Sequence, residues 1–301
     1  MPIERSCPVC ETASHAAHLF LNESIDPSKL SAFSFSSRKN PEYMSHKLVR
    51  CSNCDLVYVP APPRQEELAQ AYHVAEYDSA QEAQDASTAY ALAIAPVLSK
   101  LVSCDSALEI GTGTGIFLQH LKDSGFKQLV GIEPSKAAIA AADPSRRSWI
   151  QEGIFQESEH AANSFDLICC FMTMEHVANP AAIAQSAFNL LKPGGAFVIV
   201  THDWRSWINR ILGKRSPIID VEHMQLFSHK NLQLLFANTG YQQVSLRAFA
   251  NRYTLKYWLR LFPFPNSIKR ALSRLLAVIG LEEMKISLNV GNVISSGFKP
   301  L

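Results

Sequence analysis

The sequence predicts an α/β fold with a mostly parallel sheet covered by helices on both faces, preceded by a small loop-rich module. Three observations carry this reading. From residue 105 onward, short apolar runs alternate with helix-length segments. A glycine-rich turn follows the first apolar run, and an acid closes the second. Two Cys-x-x-Cys pairs stand outside the pattern, within residues 1–60.

The strand candidates are residues 107–110, 129–132, 165–171 and 196–200, with helical stretches near 114–124, 135–142 and 179–191 between them. Strands that alternate with helices argue for parallel pairing, because each crossover helix returns the chain to the same end of the sheet. A further helix runs from Ser228, a side-chain N-cap, to a terminator at Gly240. Two late strands follow at 243–250 and 287–298. Residues 64–102 carry apolar groups at helical spacing after the punctuation Pro60-Ala61-Pro62-Pro63. The organisation expected is a module at 1–62 and a main domain at 63–301, with helical insertions at 202–227 and 252–285.

Composition sets the outer limits. With 301 residues, 47% of them hydrophobic and 18% charged, the chain can bury a large core and is not of disordered type. No apolar run approaches the roughly 18 residues of a membrane span, and the N-terminus lacks the apolar stretch of a secretory signal. A cytoplasmic protein is expected, where thiols stay reduced. The net charge of +1 is unevenly spread: residues 1–60 balance, 61–200 carry −8 and 201–301 carry +9. The basic last third points to an acidic partner.

The strongest chemistry is Glu109-Ile110-Gly111-Thr112-Gly113-Thr114-Gly115, after the first strand and opening a helix. Glycines there let the backbone turn tightly and approach a ligand. Glu133, at the end of the next strand, lies 22 residues beyond Gly111 and suits a pair of ribose hydroxyls. The dinucleotide fingerprint spaces its third glycine one residue later, and Glu109 would repel a pyrophosphate. The spacing Glu-x-Gly-x-Gly-x-Gly resembles the first motif of class I (Rossmann-like) S-adenosylmethionine-dependent methyltransferases. Ser164-Phe165-Asp166-Leu167, Glu175-His176-Val177-Ala178-Asn179-Pro180 and Leu190-Leu191-Lys192-Pro193-Gly194-Gly195 resemble later segments of that family. The likeness covers roughly residues 85–250.

That resemblance implies a doubly wound, mostly parallel seven-stranded sheet and S-adenosyl-L-methionine as cofactor. Gly111, Thr112 and Gly113 would lie against the methionine part, with Gly115 completing the turn and Glu109 near the cationic amino end. Glu133 would hold the ribose, Phe171 and Met172 would flank the sulfonium, and Pro134, Ile154 and Phe155 would flank adenine. Ile154 stands where the family often has an aspartate, so Gln151 or Glu157 is expected to accept from adenine N6.

Cys7-Pro8-Val9-Cys10 and Cys51-Ser52-Asn53-Cys54 have knuckle spacing, which lets paired thiolates point at one tetrahedral ion. Structural zinc (Zn2+) is the expected occupant, against the alternatives of disulfides or unpaired thiols. Glu11 and Asp55 occupy knuckle positions where a glycine is often found. The module is similar to the zinc-binding segment that precedes some bacterial methyltransferases, including sugar C-methyltransferases. Cys104, Cys169 and Cys170 read as small core residues.

Methyl transfer needs an aligned acceptor and, for many acceptors, a general base. His176, His202 and His223 all follow strand ends on the ligand-binding side and are the candidates, with Glu222 able to orient its neighbour. Two basic, aromatic segments, 204–215 and 252–265, are expected to form the rim and lid of the acceptor pocket. They would grip phosphate or rest on an anionic membrane at its inner face. The acceptor expected is a small anionic metabolite bearing a hydroxyl or an acidic carbon, such as a sugar nucleotide or a lipid-linked saccharide. An RNA methyltransferase is the first rival, disfavoured because residues 1–60 are neutral. A non-catalytic adenosylmethionine-binding protein is the second. The sequence does not indicate an oligomeric state.

Overall fold

The computed structural model describes residues 4–31, 34–35, 42–75, 80–262 and 264–301. The N-terminal part forms three short strands, β1 (His18–Leu21), β2 (Leu48–Arg50) and β3 (Val57–Tyr58). Two helices follow, α1 (Gln65–His73) and α2 (Ala80–Leu98). The alternating part is β4 (Ser106–Ile110), α3 (Ile116–Asp123), β5 (Gln128–Glu133), α4 (Lys136–Ala141), α5 (Pro144–Arg147), β6 (Ile150–Glu152), β7 (Phe165–Phe171), α6 (Pro180–Leu190) and β8 (Leu191–His202). Then come α7 (Trp207–Leu212), β9 (Gln225–Leu226), α8 (His229–Thr239), β10 (Gln242–Thr254), α9 (Leu255–Leu261), α10 (Asn266–Val278) and β11 (Lys285–Phe298).

The main sheet has seven strands in the order β10-β11-β8-β7-β4-β5-β6. Strands β8, β7, β4, β5 and β6 run parallel, and β11 is antiparallel to both of its neighbours. The two faces of the central strands explain why their sequences read as unbroken apolar runs. Leu108, Ile168, Cys170, Phe197 and Ile199 bury toward one face, against α6 and α8 through residues such as Ala187 and Phe236. Ala107, Leu167, Cys169, Val198 and Val200 bury toward the other, against α2 and α3 through Tyr90, Ile94, Phe117 and Leu118. Strand β6 escaped the sequence reading because it is a three-residue edge strand with Gln151 and Glu152 exposed. The caps agree with the sequence. Ser228 and Asn231 form a reciprocal capping box, and Gly240 ends α8 with φ 97°, a conformation costly to residues with a Cβ.

The module and the main domain are not separated at residue 62. Strand β9, from the insertion at 202–227, adds to the small antiparallel sheet to give the order β1-β2-β3-β9. Two- and three-residue strands bury too little alone, and here they share a core with the rest of the chain. Cys7, Cys51 and Cys54 pack in the same cluster as Phe227, Leu232 and Phe236. The Arg5 guanidinium donates to the backbone carbonyls of Val59 and Ala178, and Arg205 forms an ion pair with Asp55.

Both insertions are also less helical than expected. Residues 202–227 contain one short helix, α7, before the chain extends into β9. In 252–285, Arg252, Tyr253 and Thr254 belong to β10, which pairs with β11 as far as Thr254 opposite Lys285. Helices α9 and α10 therefore cap the end of a two-stranded ribbon. Among the described residues, no helix is long and apolar enough to cross a membrane.

Candidate active site

The turn after β4 is held in shape from two sides. The Glu133 carboxylate, at the end of β5, accepts the Gly113 N–H through Oε2 at 2.7 Å and the Ser135 N–H through Oε1 at 2.8 Å. Burial pushes this carboxyl up, and the two backbone donors draw it down. Each oxygen keeps a second acceptor site for a further hydroxyl. Thr112 donates its hydroxyl to Glu109, which is itself buried. Gly111 has φ 78°, and a Cβ there would lie 2.3 Å from Thr173 Oγ1, so the turn passes against the chain leaving β7. That chain turns sharply at Met172, which has a positive φ of 51°.

These elements open onto a cavity of about 680 Å³. Glu109, Gly111, Thr112, Glu133 and Pro134 line it, with Ile154, Phe155, Phe171 and Met172. Gly113 and Gly115 do not line it. Gly113 faces Glu133 through its N–H, and Gly115 is the left-handed residue before α3, so both shape the turn without forming wall. Gln151 and Glu157 are also off the wall. Gln151 is an exposed edge-strand residue, and Glu157 accepts the Asn189 side-chain amide through Oε1.

The same cavity gathers the three histidines, from three separate segments. The His176 and His223 rings lie 4.9 Å apart and the His202 and His223 rings 5.6 Å apart, centre to centre. His223 Nδ1 is 2.8 Å from the Ile218 carbonyl. A carbonyl only accepts, so Nδ1 carries the proton and Nε2 is the basic nitrogen. His202 Nδ1 faces Asn292 Oδ1 at 2.8 Å. Burial, followed by the neighbouring His223, lowers the pKa of His202 to about 3. His176 Nδ1 contacts the Tyr72 hydroxyl at 2.8 Å and Glu222 Oε2 at 3.7 Å. Possible ligand atoms of His176, Glu222 and His223 all fall within 4.8 Å of one another.

Several contributors carried no signal in the sequence. Tyr72 on α1 joins the cluster, its phenol pushed well above its usual range by burial and then by Glu222, Asp220, Glu133 and Glu175. It is therefore a neutral hydroxyl. Asn251 on β10 and Asn292 on β11 line the cavity, and Asn251 Oδ1 and Asn292 Nδ2 are buried without a hydrogen-bond partner. Such orphans cost free energy unless a ligand satisfies them. An asparagine on a strand has no motif, so only the fold reveals this pair. Glu175, fully buried, accepts the His202 N–H at 2.7 Å and braces the end of β8; burial raises its pKa to about 8.

Both basic segments reach the cavity, through Ile208, Asn209 and Leu212 and through aromatic side chains after residue 252, but their cationic groups lie elsewhere. Among the described residues, no lysine or arginine lines the cavity, whose wall includes Tyr253, Tyr257, Trp258, Leu261 and Phe262. Arg252 and Lys256 are exposed, while Arg260 pairs with Glu82 and lies over the Tyr257 ring. The charged groups on the wall are acids, including Asp220 and Glu222.

The four module cysteines converge as the spacing required. Sγ atoms of Cys7 and Cys54 lie 3.4 Å apart, those of Cys10 and Cys51 3.5 Å apart, and all four fall within 4.8 Å of one another. Both knuckles turn through a left-handed residue, Glu11 at φ 59° and Asp55 at φ 71°, the positions where a glycine is often found. The hydrogen bond from Cys54 lowers the Cys7 pKa to about 5 and pushes Cys54 up. Cys169 and Cys170 are buried core residues.

A family profile described as a methyltransferase domain matches residues 67–246, more than half of the chain. The chain belongs to this methyltransferase-domain family. A curated relative of the methyltransferase, the ubiquinone biosynthesis O-methyltransferase of Yersinia pestis, is 26% identical over 113 residues, 35% of this chain and 47% of that protein. The methyltransferase chain thus spans about half the length of the curated relatives it matches. Among solved structures, it is similar to a SAM-dependent methyltransferase of Thermotoga maritima (22% identity, TM-score 0.48, covering 72% of this chain and 91% of that one). It is also similar to one of Archaeoglobus fulgidus (13% identity, TM-score 0.49, covering 71% and 94%).

Proposed function

We propose that the protein transfers a methyl group from S-adenosylmethionine to a hydroxyl or an acidic carbon of a small molecule. One observation carries this reading. A single cavity is lined both by the Gly111 turn, Glu133 and Met172 and by the histidine cluster. The cofactor would lie along the turn with its ribose hydroxyls on Glu133 and its sulfonium beside Phe171 and Met172. Ile154, Phe155 and Pro134 would cover adenine. The acceptor would then occupy the aromatic end and be held by Asn251 and Asn292, whose orphaned amide atoms offer one acceptor and one donor.

His223 is the general base in this reading. Its Nδ1–H is fixed by the Ile218 carbonyl, which fixes the ring and makes Nε2 the proton acceptor. His202, with a pKa near 3, stays neutral and is a poor base at ordinary pH. Tyr72 and Glu222 hold His176 beside His223.

Of the acceptors expected from the sequence, a lipid-linked saccharide suits the aromatic wall better than a sugar nucleotide. A diphosphate would need cations, and the wall offers Asp220 and Glu222 instead. Mass spectrometry of cell fractions incubated with the enzyme and methyl-labelled cofactor tests this. Label is expected in lipid-extracted glycoconjugates; label confined to the nucleotide-sugar fraction would overturn the preference.

Zinc in the Cys7, Cys10, Cys51 and Cys54 set is proposed on the donor chemistry. Four sulfurs at these separations suit the roughly 2.3 Å bonds of tetrahedral zinc thiolate, and four thiolates leave no open position for catalysis. The metal would hold structure.

Glu133→Ala is expected to weaken S-adenosylmethionine binding by about 1.5–3 kcal/mol, the range for hydrogen bonds to a charged group. Isothermal titration calorimetry reads this directly. Unchanged affinity would place the ribose elsewhere.

A further inference from the structure

Helix α10 is the one element of the lid that the catalytic reading leaves unused. None of its residues is buried, although it is the most amphipathic sequence in the chain. Ile268, Leu272, Leu275 and Ile279 recur at i, i+4, i+7 and i+11, which places them in one stripe along the helix. All four are exposed, Leu275 at 55% and Ile279 at 52%. Val278, the last residue of the helix, is 85% exposed, and Leu281 and Met284 extend the exposed apolar surface beyond it.

The stripe does not face the rest of the protein. The side of α10 that meets α9 carries the half-buried Lys269, Ser273 and Leu276, and Lys269 donates to the Arg260 carbonyl of α9 at 2.6 Å. The apolar stripe therefore lies about a quarter turn round the helix from that contact and is exposed to solvent. Arg270 and Arg274 lie outside the stripe, and α10 contains no acid. Across residues 252–285 there are seven lysines and arginines against two acids.

We propose that α10 is a membrane-surface helix that seats its apolar stripe in an anionic bilayer, with the basic residues of this segment on the lipid headgroups. An exposed apolar stripe on a basic helix matches the boundary between anionic headgroups and acyl chains. A second copy of the chain suits it less well, because pairing two such surfaces brings together two segments of the same positive sign. Helix α9 links the docking surface to the cavity. Its Tyr257, Trp258 and Leu261 line the acceptor end while its outer side supports α10. Docking would therefore bring the acceptor end of the cavity close to the bilayer. The inference rests on α10 and holds whichever acceptor the enzyme uses.

Vesicle sedimentation of the full chain tests it, using vesicles of phosphatidylcholine alone and of phosphatidylcholine with phosphatidylglycerol. Binding is expected to be at least about tenfold tighter on the anionic vesicles and to weaken as salt rises. Replacing Ile268, Leu275 and Ile279 together by serine should reduce that binding at least about tenfold, with melting temperature and S-adenosylmethionine affinity unchanged. R270Q with R274Q should remove part of the salt-dependent component. Failure of the folded wild-type chain to bind anionic vesicles would overturn the proposal, as would binding unaffected by the triple serine variant. A wild-type dimer in light scattering that the triple variant dissociates, without vesicle binding, would assign the stripe to a second copy and also overturn it.

Discussion

His223→Ala is expected to lower kcat by about 10²–10⁴-fold, the usual range for loss of a general base, while leaving S-adenosylmethionine affinity nearly unchanged. The two effects separate because Glu133 is bonded to the Gly111–Gly113 turn, whereas His223 packs against His176 and His202. His202→Ala should cost less, since a histidine whose pKa burial has lowered to about 3 is neutral near pH 7 and a poor proton acceptor. Its contribution is the contact with Asn292. Glu222→Gln removes the carboxylate beside His176 and keeps the shape, so its loss should be intermediate. The measurement is release of S-adenosylhomocysteine with the acceptor identified by isotope labelling, across a pH series. The acid limb of the kcat profile should disappear in the His223 variant, because the limb reports protonation of the base. A His223 variant with normal kcat beside an inactive His176 variant would move the base to His176.

Removal of zinc is expected to destabilise the whole chain in one cooperative transition. Structural zinc contributes on the order of 10 kcal/mol to the folding of isolated zinc peptides, comparable to the entire stability of a domain. The sequence places the cysteines outside the cofactor motifs, and on that ground alone cofactor binding should survive chelation. The fold argues otherwise. Cys7, Cys51 and Cys54 pack in the same core as Leu108 and Ile110 on the strand that leads into the Gly111 turn. Strand β9, paired to β3, follows immediately on Glu222 and His223 and carries the chain into α8. Freshly reduced protein should contain about one zinc per chain, and its chelation or the pair C51S and C54S should lower the melting temperature and S-adenosylmethionine affinity together. Calorimetry showing an unchanged main transition, with cofactor binding intact, would make the module an independent unit.

The central sheet was legible because its strands are buried on both faces. Runs such as Phe165–Phe171 leave little alternative once helical segments separate them. The glycine-rich turn was legible for a related reason, since a turn that must avoid Cβ atoms and an acid at the next strand end leave marks at fixed spacing. The acceptor end was only partly legible. His176, His202 and His223 could be nominated from their places after strands, but nothing in the sequence ordered them. The proposed preference for His223 rests on the Ile218 carbonyl and on the burial of His202 beside Asn292. Tyr72, Asn251 and Asn292 reach the cavity from elements far apart in the chain. The basic charge of the last third was read correctly as a quantity and differently as a location. Charge counts do not say that Arg252 and Lys256 face solvent while aromatic side chains face the cavity. The pairing of β9 with β3 was likewise beyond reach, because two residues are too short to show strand periodicity.

Titration of the purified chain with S-adenosylmethionine by calorimetry, with S-adenosylhomocysteine as competitor, tests whether the cavity holds the cofactor. One site per chain is expected, at micromolar to submillimolar affinity in the range of about −5 to −8 kcal/mol, displaced by S-adenosylhomocysteine and weakened in the Glu133→Ala variant. A folded, metal-replete protein that shows no saturable binding at millimolar S-adenosylmethionine would contradict the assignment of the cavity.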